Sequence, residues 1–180
     1  MSRAYTPGGR FNSDYEFDSI QDGIDWDLKN PVGTVAEWWV YDPATTTTDP
    51  IYDVGYMNYG RSWVGPHLLP VVRAVWQQGQ VPQSERGFYN TDILHLTLNS
   101  RDVDAINDNV VNNPDLEARG RIVWKNQVYR PFGVQQRGII GERYALIVVD
   151  CQQIMPEEMV NDSQFQKYAT AVPDTWEQPQ

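Results

Sequence analysis

The sequence is poor in cysteine and in positive charge, and it lacks long apolar runs. Cys151 is the single cysteine among 180 residues, which excludes an intrachain disulfide framework. Fourteen Lys and Arg residues stand against 24 Asp and Glu residues, a formal net charge of -10. A general DNA-binding surface, which must be basic, is therefore not expected. No apolar run approaches the ~20 residues of a transmembrane helix and no signal peptide is visible, so we expect no membrane partner.

Residue sets that carry chemistry are also scarce. The two histidines, His67 and His95, are too few and too far apart for a typical zinc site, and His95 is expected to be an ordinary strand residue. No Gly-x-Ser-x-Gly elbow and no glycine-rich phosphate loop occurs. Asp102, Asp104 and Asp108 lack the glycine and terminal glutamate of a calcium loop and predict a solvated helix face. We therefore expect no enzymatic activity, no cofactor and no metal.

The composition that is present favours β structure. Seven Trp, ten Tyr and five Phe residues suit pleated, half-buried surfaces, and 13 Gly and 12 Pro residues interrupt the chain often. Strands are predicted over residues 69–76, 92–98 and 143–149, with a tight hairpin over 121–130 that turns at Lys125-Asn126. Alternation places Leu94, Leu96 and Leu98 on one face of their strand. After the hairpin, Pro131 is expected to leave the central ladder, residues 134–136 to extend and residues 138–141 to turn. A short helix is predicted over 101–107, with Asn99 or Ser100 as its cap. Residues 34–41 fit either a short strand or a single helical turn.

Three parts of the chain differ in composition. Residues 1–30 are acidic and sparsely apolar, and they predict an N-terminal arm that orders on a neighbouring subunit or a frayed terminus. Alternation over Asp14–Asp18 would also allow a strand. Residues 31–155 form the predicted β domain. Residues 156–180 are an acidic C-terminal tail with one short helical stretch near Glu157–Tyr168. Cys151 follows the most apolar strand and is expected to be buried.

A long irregular stretch, residues 42–65, is the candidate functional loop. Two Asp-Pro pairs and four consecutive threonines favour a polar loop, and a loop of this length in a small domain often has a function. Ten of its residues are the candidate lumen or interface positions: Asp42, Thr45, Thr46, Thr47, Thr48, Asp49, Tyr52, Asp53, Tyr56 and Tyr59.

The last third of the chain contains three stretches with a β-hairpin pattern: Gly120–Tyr129, Gly133–Gly141 and Tyr144–Val149. They resemble the closing β-hairpins of tailed-bacteriophage head-to-tail connector proteins. Upstream stretches resemble that family's stopper, or head-closure, members: Asp49–Asp53, Trp63, Leu69–Val72 and Gly87–Leu94. The resemblance covers roughly residues 34–155. It implies a mainly β fold, a small β-barrel with long loops, one or two short helices and extended N- and C-terminal segments.

The resemblance also implies a function without catalysis. A stopper is a structural virion protein of the phage neck, a homo-oligomeric ring between the portal or adaptor protein and the tail terminator or tail tube protein. Sixfold or twelvefold symmetry is expected. Such a ring retains the packaged double-stranded DNA and lets it pass at infection, and it assembles in the host cytoplasm. The loop 42–65 would then reach into the lumen or contact an adjacent ring, or alternatively pack laterally between subunits.

Two other functions stay open. The chain could be another neck ring protein, either a tail terminator or an adaptor, although adaptors are mainly helical. It could also be a carbohydrate-binding β module or small glycosidase that uses exposed tryptophans and carboxylates.

The core of the barrel is predicted to lie within residues 121–149. Alternation along the strands predicts that Trp124, Val128, Leu146 and Val148 face inward.

Overall fold

Six strands of the described chain close into one antiparallel barrel. The computed structural model describes residues 12–27, 34–47, 60–79, 92–106, 120–154, 159 and 162–169. The strands are β1 (Val35–Tyr41), β2 (Trp63–Gln77), β3 (Ile93–Asn99), β4 (Arg121–Trp124), β5 (Gln127–Ile140) and β6 (Arg143–Gln153). Their order around the barrel is β1-β2-β3-β6-β5-β4. The expected fold class, mainly β with a small barrel and short helices, is confirmed.

The helices are short and lie outside the sheet. They are α1 (Ser13–Asp27), α2 (Ser100–Ile106), a 3-10 turn (Ser163–Phe165) and α3 (Gln166–Ala169). Among the described helices, none has both the length and the apolar character needed to cross a membrane.

The β4–β5 hairpin follows from its two turn residues. Lys125 and Asn126 have φ angles of 49° and 61°, as a type I′ turn requires, and Asn adopts this conformation at low cost. Val123 then lies opposite Val128 and Trp124 opposite Gln127. The hairpin predicted over 121–130 is confirmed, and the stretch 34–41 contains a strand, Val35–Tyr41, rather than a helical turn.

The barrel interior is filled by alternate residues of every strand. On β3, Leu94, Leu96 and Leu98 are all buried, which confirms the face predicted from their alternation. They pack with Trp38, Leu69, Val71, Ile122, Trp124, Tyr129, Ile147, Val149 and Cys151. Cys151 is fully buried, as predicted, and burial raises the pKa of its thiol.

Three of the four residues predicted to face inward, Leu146, Val148 and Val128, do not face the barrel interior. Leu146 and Val148 are half-buried on the outside of β6, whereas Ile147 and Val149 fill the interior. Trp124 faces inward as predicted. Val128 is buried, but in a second cluster outside the barrel. The strand reads Ala-Leu-Ile-Val-Val without alternation, so its sequence does not distinguish the two faces.

The segment predicted as an arm contains a helix that packs on the barrel. The strand alternative over Asp14–Asp18 is wrong, because residues 13–27 form α1. Asn12 caps it, since its Oδ1 accepts hydrogen bonds from the amides of Asp14 (3.1 Å) and Tyr15 (3.3 Å). Phe17 and Gln21, one turn apart, form the buried face. The Gln21 side chain donates to the carbonyl oxygen of Ala145 at 2.9 Å.

Helix α2 closes the interior near the same end. Val103 is buried within the barrel core, and Asn99 Oδ1 accepts a hydrogen bond from the Arg101 amide at 3.2 Å. Of the two predicted caps, Asn99 makes this contact.

Strand β5 is longer than predicted. It passes through Pro131, which was expected to leave the ladder but lies opposite Cys151, with a bulge before Gly133. The bulge accommodates the missing donor. The turn predicted over 138–141 is confined to Gly141 and Glu142.

Candidate functional site

The candidate loop leaves the barrel between β1 and β2. Strand β2 begins at Trp63, so the last residues of the predicted 42–65 loop belong to the sheet. The structure describes Asp42, Thr45, Thr46 and Thr47. The other six candidate positions lie outside the described residues: Thr48, Asp49, Tyr52, Asp53, Tyr56 and Tyr59.

Asp42 organises the start of this loop. Its Oδ1 accepts a hydrogen bond from the Ala44 amide at 2.9 Å, and its Oδ2 accepts one from the Thr45 hydroxyl at 2.7 Å. These contacts form an Asx turn, which Pro43 favours through its fixed φ. The Thr45 hydroxyl and the Ala44 amide stabilise the carboxylate, so they lower the pKa of Asp42 below its ordinary value.

Hydrogen bonds join the two ends of the loop. The Asp42 amide donates to the Ser62 carbonyl at 2.9 Å, and the Thr47 amide donates to the Gly60 carbonyl at 2.8 Å. Thr46, which is buried, accepts at its hydroxyl oxygen from the Ser62 amide at 3.2 Å. We call residues 42–47 and 60–62 the neck. The threonine run, read from sequence as loop surface, therefore supplies part of a closed base.

Next to the neck, the outside of the barrel carries a second apolar core. Phe165 packs edge-on against Trp39 and Trp63, with ring centroids 5.2 Å and 5.1 Å apart. Tyr41, Val123, Val128, Ile154 and Met159 complete the cluster. We call this part of the barrel, covered by residues 162–169, the covered wall.

Buried polar contacts hold the covering segment in place. Arg121 and Asp162 are 5% and 1% exposed, and Arg121 Nη2 lies 3.2 Å from Asp162 Oδ2. Burial lowers the pKa of Arg121, while the adjacent Asp162 carboxylate opposes that shift. Gln164 exchanges two hydrogen bonds with the Trp63 backbone, at 2.9 Å to its amide and 3.1 Å to its carbonyl. Neither Arg121 nor Asp162 was identified from sequence, because their pairing links positions 41 residues apart.

The rest of the barrel exterior has no such cover among the described residues. We call it the bare wall: the outer face of the C-terminal half of β2, of β3 and β6, and of β5 beyond Val128. Its central contact joins His95 Nδ1 to Asp150 Oδ1 at 2.5 Å, and Gln135 Nε2 donates to Asp150 Oδ2 at 3.3 Å. His95 is a half-buried strand residue, as expected.

A cavity of about 460 Å³ lies where α1 and α2 meet β5 and β6. Phe17, Tyr144 and Ile147 give it apolar surface, and Arg101, Arg143, Asp18 and Asp104 bring charges of both signs. Within the described ranges, no three His, Cys, Asp or Glu side chains are grouped as metal ligands. Cys151 and Tyr129, whose pKa values are raised by burial, are both enclosed in the barrel core. This arrangement suits packing better than nucleophilic chemistry.

Comparison with known proteins gives little further information. No protein-family model matches the chain, and no curated protein matches it. A solved structure, the virion of a native gene transfer agent particle, contains a chain with 10% sequence identity and a TM-score of 0.43. The match covers 67% of this chain and 93% of that chain. A likeness this low carries no argument about function.

Proposed function

We propose that this chain is a non-enzymatic structural protein of a phage-like virion, a stopper-type ring at the junction between head and tail. The observation that carries the proposal is the neck, where hydrogen bonds join the two ends of the candidate loop to each other next to the barrel. The sequence resemblance to stopper proteins supports the same interpretation. In this function the barrel is the constant part of each subunit, and the loop is the part that meets DNA or an adjacent ring.

The neck gives the loop a defined origin. Its hydrogen bonds use the backbones of Asp42, Thr47, Gly60 and Ser62, so the loop sequence beyond Thr47 can vary without changing the neck contacts. Adjacent to the neck, Trp63 is locked in the covered wall. A loop with a fixed base can present its sequence to DNA or to an adjacent ring, because its two ends are held together next to the barrel.

Charge is consistent with a conduit for DNA. A chain with a net charge of -10, repeated around a ring, gives a negative channel that repels phosphate and discourages DNA from sticking. The proposed partners are copies of the chain itself, the portal or adaptor protein, the tail terminator or tail tube protein, and the packaged double-stranded DNA.

The test is a loop variant that spares the neck. Residues 50–57 are deleted, and the matched control replaces the same residues with a Gly-Ser segment of equal length. Loop-length changes cost little in closure entropy, so both variants are expected to fold. If the loop retains DNA, particles carrying the deletion assemble but lose their genome, which DNA content per particle measures. A folded deletion variant that no longer forms rings shows instead that the loop packs between subunits.

The position of the protein is tested separately. Imaging of particles that carry a tagged copy is expected to show the tag density at the head-to-tail junction, between portal and tail. Density at the top of the tail tube identifies a tail terminator, and a folded monomer that binds glycans but is absent from particles refutes a virion function.

A further inference from the structure

The side of α1 that faces away from the barrel carries an exposed aromatic residue. Helical periodicity places Trp26 on the side opposite Phe17, which is buried. Trp26 is 71% exposed, and Ile20 is 42% exposed. A Cβ atom added at Gly23, near Trp26 on the helix surface, would meet nothing within 4 Å. Tryptophan is enriched among residues that dominate binding energies at protein interfaces.

Acidic groups line the same helix, and Asp22, Asp25 and Asp27 lie within about one turn of Trp26. Helix α1 contains six carboxylates and no basic residue: Asp14, Glu16, Asp18, Asp22, Asp25 and Asp27. Two arginines from elsewhere approach them. Arg101 lies 3.2 Å from Asp22, 3.5 Å from Asp25 and 3.7 Å from Asp18, and Arg143 lies 3.7 Å from Asp14. The helix therefore keeps an excess of negative charge around Trp26.

The bare wall has the opposite charge. Arg73, Arg130 and Arg137 lie on its outer face. Among the described residues of this face, the acidic residue is Asp150, and its carboxylate contacts the side chains of His95 and Gln135. The bulge of β5 adds Phe132, which is 57% exposed. A cationic surface with an exposed aromatic is unusual in a chain of net charge -10.

We propose that the outer face of α1 in one copy of this chain docks on the bare wall of the next copy. Trp26 meets the apolar and aromatic surface of the wall, and the carboxylates of α1 face Arg73, Arg130 and Arg137. Pairing of α1 with α1, or of wall with wall, brings like charges together and is disfavoured. The contact therefore joins two different surfaces, and contacts of this head-to-tail kind generate rings when they close.

This inference deepens the proposed ring function and rests on it for the biological setting. The contact itself is measured with purified protein. Absence of the contact is therefore a different result from absence of the protein at the head-to-tail junction of the particle.

The first experiment removes the aromatic group. Trp26→Ala is expected to weaken self-association by at least roughly tenfold in dissociation constant, as for a central interface residue. Leu68→Ala is the matched control, since Leu68 is 68% exposed on the β1–β2 side of the barrel and is expected to leave the dissociation constant unchanged. Sedimentation equilibrium measures both. Wild-type protein that stays monomeric at every concentration, or equal effects of the two substitutions, overturns the proposal.

The second experiment exchanges the charges. One variant carries Asp22→Lys, Gly23→Lys and Asp27→Lys on α1, and the other carries Arg73→Glu and Arg137→Glu on the wall. Each alone is expected to lose self-association, because its two surfaces then have the same sign. Mixed together they are expected to associate again, since each basic surface finds an acidic one on the other variant. Lys125→Glu, a charge reversal in the exposed β4–β5 turn, is the control that keeps wild-type association.

Circular dichroism confirms that each charge variant is folded. A mixture of folded variants that remains monomeric contradicts the head-to-tail contact, and so does a single charge variant that associates as the wild type does.

Discussion

The covered wall and the bare wall belong to one barrel but are built differently. On the covered wall, β4 is buried on both faces, because Phe165 and its neighbours pack on the outside while Ile122 and Trp124 pack inside. On the bare wall, the outer residues of β3 from Ile93 to Thr97 and of β6 from Leu146 to Gln152 are half-buried, whereas the inner residues between them are fully enclosed.

The difference separates stability from binding. The covered wall buries aromatic rings and the Arg121–Asp162 pair within the chain itself, so it stabilises the monomer. The bare wall leaves arginines and Phe132 in contact with solvent, so its side chains can contribute to a contact with another molecule. Substitutions of the same residue type on the two walls should therefore have very different effects on folding.

The largest expected difference is between two phenylalanines. Phe165→Ala should lower the free energy of unfolding by about 3–5 kcal/mol, because a fully buried ring is removed from a packed cluster. Phe132→Ala should change it by no more than about 0.5 kcal/mol, since the ring is mostly exposed. Urea denaturation of the two variants measures both. Equal shifts in the midpoint would mean that residues 162–169 do not cover the barrel.

Removing a carboxylate should show the same contrast. Asp162→Ala leaves Arg121 buried without its carboxylate and should cost about 3–5 kcal/mol. Asp150→Ala breaks a partly exposed pair with His95 and should cost about 0–1 kcal/mol. Thermal and chemical denaturation provide the comparison. If Asp150→Ala proved to be the more destabilising, the bare wall would contribute more to folding than its exposure indicates.

Neighbouring residues on β6 distinguish the inside of the bare wall from its outside. Ile147→Ala should cost about 2–5 kcal/mol, because the side chain is 1% exposed. Leu146→Ala should cost about 1 kcal/mol, since it is half-buried on the outer face. The pair is measured by urea denaturation, and a reversed order would restore the inward assignment of Leu146 made from sequence.

The smallest effect is expected at the neck, which adjoins the covered wall. Asp42 has a lowered pKa, so its stabilising contacts are fully present above the ordinary aspartate pKa of ~3.9 and are lost as the pH falls through the lowered value. Amide exchange at Ala44 and Thr47 should rise over that acid range while global unfolding changes little. Asp42→Asn is the control, because it keeps the turn but removes the titration. Protection that disappears near neutral pH would contradict this assignment.

The sequence predicted the parts of the fold in which local chemistry decides the structure. The Lys125-Asn126 turn requires positive φ angles, which few residue pairs adopt easily. Leu94, Leu96 and Leu98 alternate along their strand, so all three must lie on the same face. Asn99 was recognised as a possible cap for the same reason, because it lies directly before a helical pattern.

Parts that depend on distant contacts were not predicted. Helix α1 buries a glutamine, Gln21, whose partner Ala145 lies 124 positions away, and no local pattern indicates such a pair. Phe165 lies in an acidic stretch that was interpreted as a tail, although it contacts two tryptophans of the barrel. Of the candidate loop, residues 63–65 belong to β2. In the part that the structure describes, the sequence did not show that Thr46 would be buried or that the threonine run would join Gly60 and Ser62.

The two hydrogen bonds of Gln164 with Trp63 have a consequence for aggregation. The amide and the carbonyl of Trp63 lie on the edge of β2 that faces away from β1. Strand β3 pairs with this edge only from Val71 onward, so at Trp63 the edge is bound by Gln164 instead. There the side-chain amide of Gln164 takes the place of a peptide unit from another strand. An unprotected strand edge templates pairing with other chains, so cleavage before residue 162 would free this edge. The shortened protein would then be prone to strand exchange and fibril growth, even if the barrel itself survived.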